Sequence, residues 1–218
     1  MGNRFTFEEF LTMMANYNTT IWPFQIVIYF LTIIILGMFF MNNQYSNRIL
    51  SSYLGILWIW VGIAFNYLYF SKISPGAFLF AVLFLIQGCL FLYNGAIKGR
   101  LVFGINSKLK GFIGLFIVGY SLIGYPIIEY SLDRGYPELL PFGLAPCPLT
   151  VFTLGMLLFL KNEIPFFIVI IPILYSLGSI IPISLGIYED IGLLISGILL
   201  LGYFMLQRKK QNSVVQQA

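Results

Sequence analysis

Long apolar runs separated by short polar segments make up most of this chain, and they restrict its fold to very few types. A run of roughly 20 apolar residues is long enough to cross about 30 Å of hydrocarbon as a helix. Within lipid, only helices and closed barrels keep every backbone N–H and C=O group paired. Hydrophobic residues form 59% of the chain and charged residues only 9%, against about 25% charged in an ordinary soluble domain. We therefore predict an all-α, polytopic transmembrane helix bundle.

Seven spans are predicted, and the fifth is unusually short. They lie near Ile21–Met41, Ile49–Phe70, Gly76–Ile97, Gly111–Ile128, Leu149–Leu160, Pro165–Leu185 and Ile191–Leu206. The 12 residues of the fifth span cover roughly 18 Å at about 1.5 Å per residue, which is less than the hydrocarbon thickness. Either the chain before this helix fills the missing depth without forming a helix, or the bilayer thins locally; the first alternative is favoured.

The segment Tyr136–Gly155, which leads into that short span, contains four of the chain's ten prolines. They are Pro137, Pro141, Pro146 and Pro148. Irregular backbone at membrane depth is tolerated only where it is buried in protein or lines a polar cavity. A binding site is therefore expected in this segment, on the side of the membrane predicted to be outside.

The binding hypothesis rests on polar and helix-initiating residues in this segment and in the neighbouring spans. They are Glu129, Glu138, Pro146, Cys147, Thr150, Thr153 and Gln87. The N-terminus of the short helix would favour an anionic or polar group, whereas Glu129 and Glu138 would favour a cation, so the charge of the substrate stays open. Structural alternatives also stay open: a solvated carboxylate for the two glutamates, an interhelical hydrogen bond for Gln87 and an unreactive thiol for Cys147.

The basic residues predict the orientation, because cytoplasmic loops carry an excess of lysine and arginine. With seven spans and the N-terminus outside, nine basic residues face the cytoplasm and three face outward. The cytoplasmic set is Arg48, Lys98, Arg100, Lys108, Lys110, Lys161, Arg208, Lys209 and Lys210, and the outer set is Arg4, Lys72 and Arg134. The C-terminus is therefore predicted to be cytoplasmic.

The chain is predicted to form one domain. Residues 1–210 are assigned to a single transmembrane domain, in which residues 1–20 include an interfacial helix on the outer surface. Residues 211–218 are predicted to be a disordered polar tail. Glu189 and Asp190 just precede the seventh span, and stabilisation of a helix N-terminus by negative charge explains them.

Histidine is absent from the sequence, and the two cysteines, Cys89 and Cys147, do not have the spacing of a metal site. The absence of histidine excludes histidine-ligated haem and histidine-based zinc hydrolysis, and it removes the commonest general base. No cofactor, metal or nucleic-acid partner is expected. The expected partners are the lipid bilayer, a small-molecule or ion substrate, and either further copies of the chain or a partner membrane subunit.

Four strings in the sequence resemble a known family. They are YNTTIWPFQ (17–25), ILWIWVGIAFNYLYF (56–70), PFGLAPCPLTVFTLGMLL (141–158) and GIYEDIGLLISG (186–197). With the patterns YNxxxWPxQ and APCPxTxFTxG, they resemble a family of uncharacterised prokaryotic multi-pass membrane proteins that carry a domain of unknown function. The resemblance covers nearly the whole chain and implies a multi-pass protein of a prokaryotic cell membrane, with no assigned activity. Relatives often have a histidine near the position of Asn66, so any proton-handling role of that histidine does not transfer to this chain.

Three functions are compatible with these features. The first is a channel or transporter for a small solute or ion, with its site at the proline-rich broken helix on the outer side. The alternative is a non-catalytic membrane subunit, sensor or assembly factor, which fits the scarcity of ionisable groups inside the spans. An intramembrane enzyme would have to use Cys147, or Glu129 with Glu138, as its working groups. We predict that the chain is not an enzyme.

Overall fold

The structure is a computed structural model that describes residues 5–41 and 43–215. Within these ranges the chain forms eight helices and no strand, as the all-α prediction required. The helices are α1 (Phe7–Thr20), α2 (Phe24–Phe39), α3 (Gln44–Lys72), α4 (Ala77–Ile97), α5 (Lys108–Ser131), α6 (Pro146–Leu157), α7 (Phe166–Ser184) and α8 (Asp190–Val215). Regular helix is interrupted in α7 at Gly178 and Ser179.

Five of these helices, α3, α4, α5, α7 and α8, are long and apolar enough to cross a membrane. Helices α1 and α2 meet the same condition only as a pair, which is bent by 76° at the break between them. Helix α6 is apolar but has only 12 residues. The described part of the chain therefore contains five or six membrane-spanning candidates, and the predicted seven are not confirmed. The orientation of the termini stays a prediction, and Arg4, counted on its outer side, lies outside the described residues.

Helix α6 is the central element of the bundle. Every residue from Leu140 to Leu160 is buried, and α6 packs against α3, α5, α7 and α8. A helix that is enclosed by protein does not have to match the hydrocarbon thickness, because its backbone and side chains do not meet lipid. The fifth predicted span is thus a short helix, as the sequence indicated, but it begins at Pro146 instead of Leu149 and ends at Leu157 instead of Leu160.

Glycines allow α6 and its neighbours to approach each other closely. A Cβ atom at Gly155 in α6 would lie 3.1 Å from the carbonyl oxygen of Gly114 in α5, and a Cβ atom at Gly114 would lie 3.1 Å from that of Gly155. Gly55 in α3 and Gly88 in α4 face each other in the same way, at 3.0 Å and 2.7 Å. Small residues at helix contacts are the usual means of close packing in membranes.

Helix α1 lies across one end of the bundle, and Thr6 and Glu9 cap its N-terminus reciprocally. Its buried face carries Phe10, Met13, Met14, Tyr17 and Asn18, at the spacing of an amphipathic helix. We call this end, formed by α1, the α5–α6 connection (132–145) and the α7–α8 connection (185–189), the α1 end. The helix predicted within residues 1–20 is therefore present, while its location at a membrane interface stays a prediction.

The C-terminal boundary differs from the sequence-based prediction. Helix α8 continues to Val215, so residues 211–215 belong to a helix and not to the predicted disordered tail. Residues 207–211 (QRKKQ) are good helix formers, which explains why the helix continues beyond its apolar part. The last three residues of the predicted tail, 216–218, lie outside the described residues.

Pro126 in α5 and Pro172 in α7 each deprive a carbonyl group four residues earlier of its usual N–H donor. In both cases a side chain of another helix donates to that carbonyl group. Tyr29 Oη donates to Leu122 O at 3.3 Å, and Gln87 Nε2 donates to Ile168 O at 2.9 Å. The irregular helices are thereby paired within the protein, as a membrane environment requires. Gln87 therefore makes the interhelical hydrogen bond that was its structural alternative.

The Gln87→Leu substitution should lower the free energy of unfolding by about 1–2 kcal/mol, because the buried Ile168 carbonyl loses its donor. In a Pro172→Ala background the same substitution should cost little, since an alanine at this position restores the backbone N–H. The difference is measured by unfolding four proteins in detergent micelles: the unmodified chain, the two single variants and the double variant. Asn94→Leu is the matched control, because Asn94 donates within its own helix to Leu90 O at 3.1 Å. An equal cost of Gln87→Leu in both backgrounds would contradict the assignment.

Candidate functional site

A cavity of about 260 Å³ lies at the α1 end of the bundle. Its walls are mostly apolar and include five phenylalanines: Phe5, Phe10, Phe65, Phe70 and Phe80. Pro146 and Leu140, from the proline-rich segment, complete the wall beside α6. An apolar cavity of about 150 Å³ is sufficient to bind benzene. The cavity therefore has room for a small organic molecule.

Three polar side chains of the lining, Cys147, Tyr175 and Asp190, are joined by hydrogen bonds. Together with Tyr125, which lies outside the lining but is bonded to Asp190, we call them the Asp190 cluster. Tyr125 Oη donates to Asp190 Oδ1 at 2.6 Å, and Cys147 Sγ donates to Asp190 Oδ2 at 3.2 Å. Tyr175 Oη lies 3.6 Å from Cys147 Sγ and completes the chain of hydrogen bonds. Among the described residues that line the cavity, Asp190 is the only charged one.

Two helix N-termini bring the Asp190 cluster together. Cys147 is the second residue of α6, and Asp190 is the first residue of α8. The positive end of the α8 dipole favours a carboxylate at this position, as was expected from the sequence for Glu189 and Asp190. Asp190 also belongs to the lining of the cavity, where its side chain is fully buried.

The N-terminus of α6 is poorly suited to bind an anion, contrary to one of the expectations from the sequence. Helix N-termini bind anions through free backbone N–H groups of the first turn. Two of the first three residues of α6, Pro146 and Pro148, are prolines and have no N–H. Leu149 N already donates to Ala145 O at 3.3 Å. Only Cys147 has a backbone N–H among the first three residues.

Arg134 and Glu189 form a buried ion pair next to the cluster. The guanidinium donates through both terminal nitrogens, at 2.8 Å to Glu189 Oε1 and 2.5 Å to Glu189 Oε2. Arg134 is 5% exposed and Glu189 is fully buried. The ring of Phe7 in α1 lies 5.8 Å from the guanidinium carbon. The pair joins the α5–α6 connection to the start of α8 and neutralises the charge of Glu189.

Glu129 is buried at the end of α5 and is not the solvated carboxylate that was its structural alternative. Its Oε1 accepts a hydrogen bond from Leu140 N at 2.7 Å, and its main-chain oxygen accepts one from Arg134 N at 2.9 Å. Within the described part of the chain its Oε2 has no hydrogen-bond partner. Glu129 therefore fixes both ends of the segment that carries Arg134 and Leu140.

The other residues of the binding hypothesis are placed at different sites. Pro146 and Cys147 line the cavity, whereas Glu138 is half-buried in the loop, where its main-chain N donates to Gly135 O at 2.8 Å. Thr150 and Thr153 are buried and donate to main-chain oxygens of their own helix at 2.8 Å each. Thr153 also accepts a hydrogen bond from Trp58 Nε1 at 2.9 Å, which joins α6 to α3. Both threonine hydroxyls are therefore paired inside the protein, and neither residue belongs to the cavity lining.

Helix α1 closes the cavity at the α1 end. The Phe5 and Phe10 rings lie 5.4 Å and 6.4 Å from the ring of Phe70 in α3. Tyr17 Oη donates to Leu144 O at 2.8 Å, and Asn18 Nδ2 donates to Pro137 O and Leu139 O at 2.6 Å and 2.7 Å. These bonds tie the helix to the proline-rich loop, so α1 and this loop form one cover.

Comparison with known proteins adds the family and nothing about activity. None of the curated proteins and none of the solved structures compared with the chain matches it. Residues 7–215 match a family described as a family of unknown function, DUF6064. The match covers nearly the whole chain, as the resemblance noted from the four sequence strings did. The chain therefore belongs to this family of unknown function.

Proposed function

We propose that this protein binds a small amphipathic molecule in the cavity and transports it as a small-solute transporter. The molecule has an apolar body and one head group that is cationic or donates hydrogen bonds. The observation that carries the proposal is the position of Asp190, the single charged side chain among the described residues of an otherwise largely apolar cavity. The several apolar helices of the chain are compatible with a membrane protein.

The apolar walls favour an organic solute over a bare ion. Ion pathways replace the hydration shell with rings of carbonyl groups or charged side chains. Here the wall beside the Asp190 cluster consists largely of phenylalanine, leucine and proline side chains. A bare ion would lose its hydration on this wall without compensation, at a high cost in free energy. An organic molecule instead buries its apolar surface there, which is favourable.

The charge of the head group follows from the hydrogen bonds of Asp190. Arg134 is paired with Glu189, so the neighbouring cation is already engaged. Each carboxylate oxygen has two lone pairs, and Tyr125 and Cys147 each occupy one. The carboxylate can therefore accept a further donor from a ligand, and an ammonium group supplies both the donor and the opposite charge. No catalytic step is part of the proposal.

Binding of three eight-carbon probes tests the proposed function. In lipid nanodiscs, octylamine should bind more tightly than octanol, and octanol more tightly than octanoate, because only the amine brings a positive charge to Asp190. A ratio of at least tenfold between amine and carboxylate, or about 1.4 kcal/mol, is expected in calorimetric titrations, with empty nanodiscs as the control. Equal binding of amine and carboxylate would contradict the proposed ligand chemistry.

Uptake into proteoliposomes separates transport from binding alone. Octyltrimethylammonium, whose permanent charge slows passive leakage, should accumulate faster in liposomes with the protein than in liposomes without it. Binding of amines without any uptake would remove transport from the proposal. It would then favour the alternative of a non-catalytic sensor or subunit.

A further inference from the structure

We infer that the ligand enters the cavity sideways from the lipid phase, through an opening between α4 and α7. The substrate class is then a membrane-dissolved single-chain amphiphile with a cationic head group, and not a solute taken from water. This inference rests on the proposed function, because it concerns the same cavity and the same Asp190 cluster.

The opening is marked by three residues of α7 that line the cavity and are also exposed. They are Leu174 before the interruption of α7, Gly178 at the interruption and Ile181 after it. Leu174 is 58% exposed and Ile181 is 67% exposed, and all three belong to the cavity wall. A residue that is both exposed and part of the wall shows where the cavity reaches the surface of the bundle.

This part of the surface faces hydrocarbon if α7 crosses the membrane. The three residues lie within Phe166–Ser184, one of the five helices that are long and apolar enough to span a bilayer. Across the opening, Phe80 of α4 is half-buried and also lines the cavity. Gly178 has no side chain to fill the space at the interruption of α7. The opening is therefore bordered by apolar groups that a lipid-like chain can contact.

The head-group site lies directly behind this opening. Tyr175 follows Leu174 in α7, and its ring packs against Phe80 and Phe84 at centroid distances of 5.6 Å and 5.1 Å. Its hydroxyl belongs to the Asp190 cluster. A molecule that enters beside Tyr175 brings its head group to Asp190 while the end of its chain remains between α4 and α7. The cavity of about 260 Å³ then holds only the head and the first part of the chain.

Entry from the α1 end would require α1 to move. Phe5, Phe10 and Phe70 close the cavity there, with ring centroids 5.4 Å to 6.4 Å apart. Tyr17 and Asn18 hold α1 to the proline-rich loop through three hydrogen bonds. Entry between α4 and α7 would leave these contacts of α1 in place. The two routes therefore differ in which residues control entry.

Photo-crosslinking in lipid nanodiscs tests the route. The probe is dodecylamine with a diazirine beside its amino group. After a fixed short loading time, mass spectrometry measures the labelling of the peptides that contain residues of the Asp190 cluster. Ile181→Trp should fill the opening and reduce this labelling at least fivefold. Ile180→Trp is the matched control, because Ile180 is 60% exposed on the same helix and does not belong to the cavity wall. It should label as the unmodified protein does.

The possible results separate the route from the binding site. Labelling that is equal in Ile181→Trp, Ile180→Trp and the unmodified protein would overturn lateral entry and leave the proposed function standing. Failure of the unmodified protein to be labelled at the cluster, even after long loading, would contradict the proposed function itself. If Ile181→Trp unfolds at a lower temperature than Ile180→Trp, Leu174→Trp fills the same opening from the other end and should reduce labelling equally.

Discussion

Replacing Arg134 with methionine is expected to lower the free energy of unfolding by about 3–5 kcal/mol. The substitution leaves Glu189 buried without its partner, and removal of one member of a buried ion pair has this typical cost. Glu189 is fully buried and Arg134 is 5% exposed, so water cannot replace the lost hydrogen bonds without a rearrangement. Unfolding in mixed detergent micelles, followed by circular dichroism, measures the change.

The double substitution Arg134→Met with Glu189→Met should be much less destabilising than Arg134→Met alone. Apolar replacement of both members of a buried pair is often neutral, because no uncompensated charge remains. Arg100→Met is the control, since Arg100 is exposed and surface substitutions usually stay within about 0.5 kcal/mol. A loss of under about 1 kcal/mol in Arg134→Met, well below the typical cost, would show that the ion pair does not hold the α1 end together.

The long helices could be predicted from the sequence because their apolar runs are local signals. The third predicted span, Gly76–Ile97, agrees with α4 (Ala77–Ile97) to within one residue. The second begins five residues too late, at Ile49 and not at Gln44. The missing turn is polar, and Asn43 caps it reciprocally with Ser46. A capping signal was therefore present in the sequence, but an assignment based on hydrophobicity does not use it.

The environment of α6 could not be predicted in the same way. Its shortness was visible in the sequence, and so was Pro146 at its first turn. Its complete burial depends on α3, α5, α7 and α8, which come from distant parts of the chain. Burial on all sides is a property of tertiary packing, and an apolar helix in lipid and one in a protein core have similar compositions. From the sequence alone, the length of this helix was therefore compared with the thickness of the bilayer, and its enclosure by the other helices was not predicted.

The candidate site was found only in part for the same reason. Pro146 and Cys147 were named because an unusual proline pattern surrounds them. Asp190 was interpreted as stabilising a helix N-terminus, and it is the first residue of α8. Its hydrogen bond of 3.2 Å with Cys147 could not be predicted, because the two residues are far apart in the sequence. Gln87 shows the opposite case. Its polar side chain in mid-span suggested a binding site, but it donates a hydrogen bond to the Ile168 carbonyl, which lacks a backbone donor because of Pro172.

Asp190→Asn is expected to weaken octylamine binding roughly 30-fold or more. Loss of one partner of a buried charged hydrogen bond costs about 2 kcal/mol or more, which corresponds to this factor. Octanol is uncharged and makes no ion pair with Asp190, so its affinity should change by less than threefold. The selectivity for the amine should therefore disappear while the cavity still accepts an eight-carbon chain. Titration of both probes into the same nanodisc preparation measures the two affinities.

Glu138→Gln is the matched control for Asp190→Asn, because it removes a carboxylate from the same end of the bundle without changing the cavity wall. It should leave both affinities unchanged. The side-chain amide introduced by Asp190→Asn can still accept from Tyr125, so this variant should lose only about 1–2 kcal/mol of stability. An equal loss of amine and alcohol binding would mean that Asp190 shapes the cavity without contacting the head group. An unchanged affinity for the amine would place the head group elsewhere.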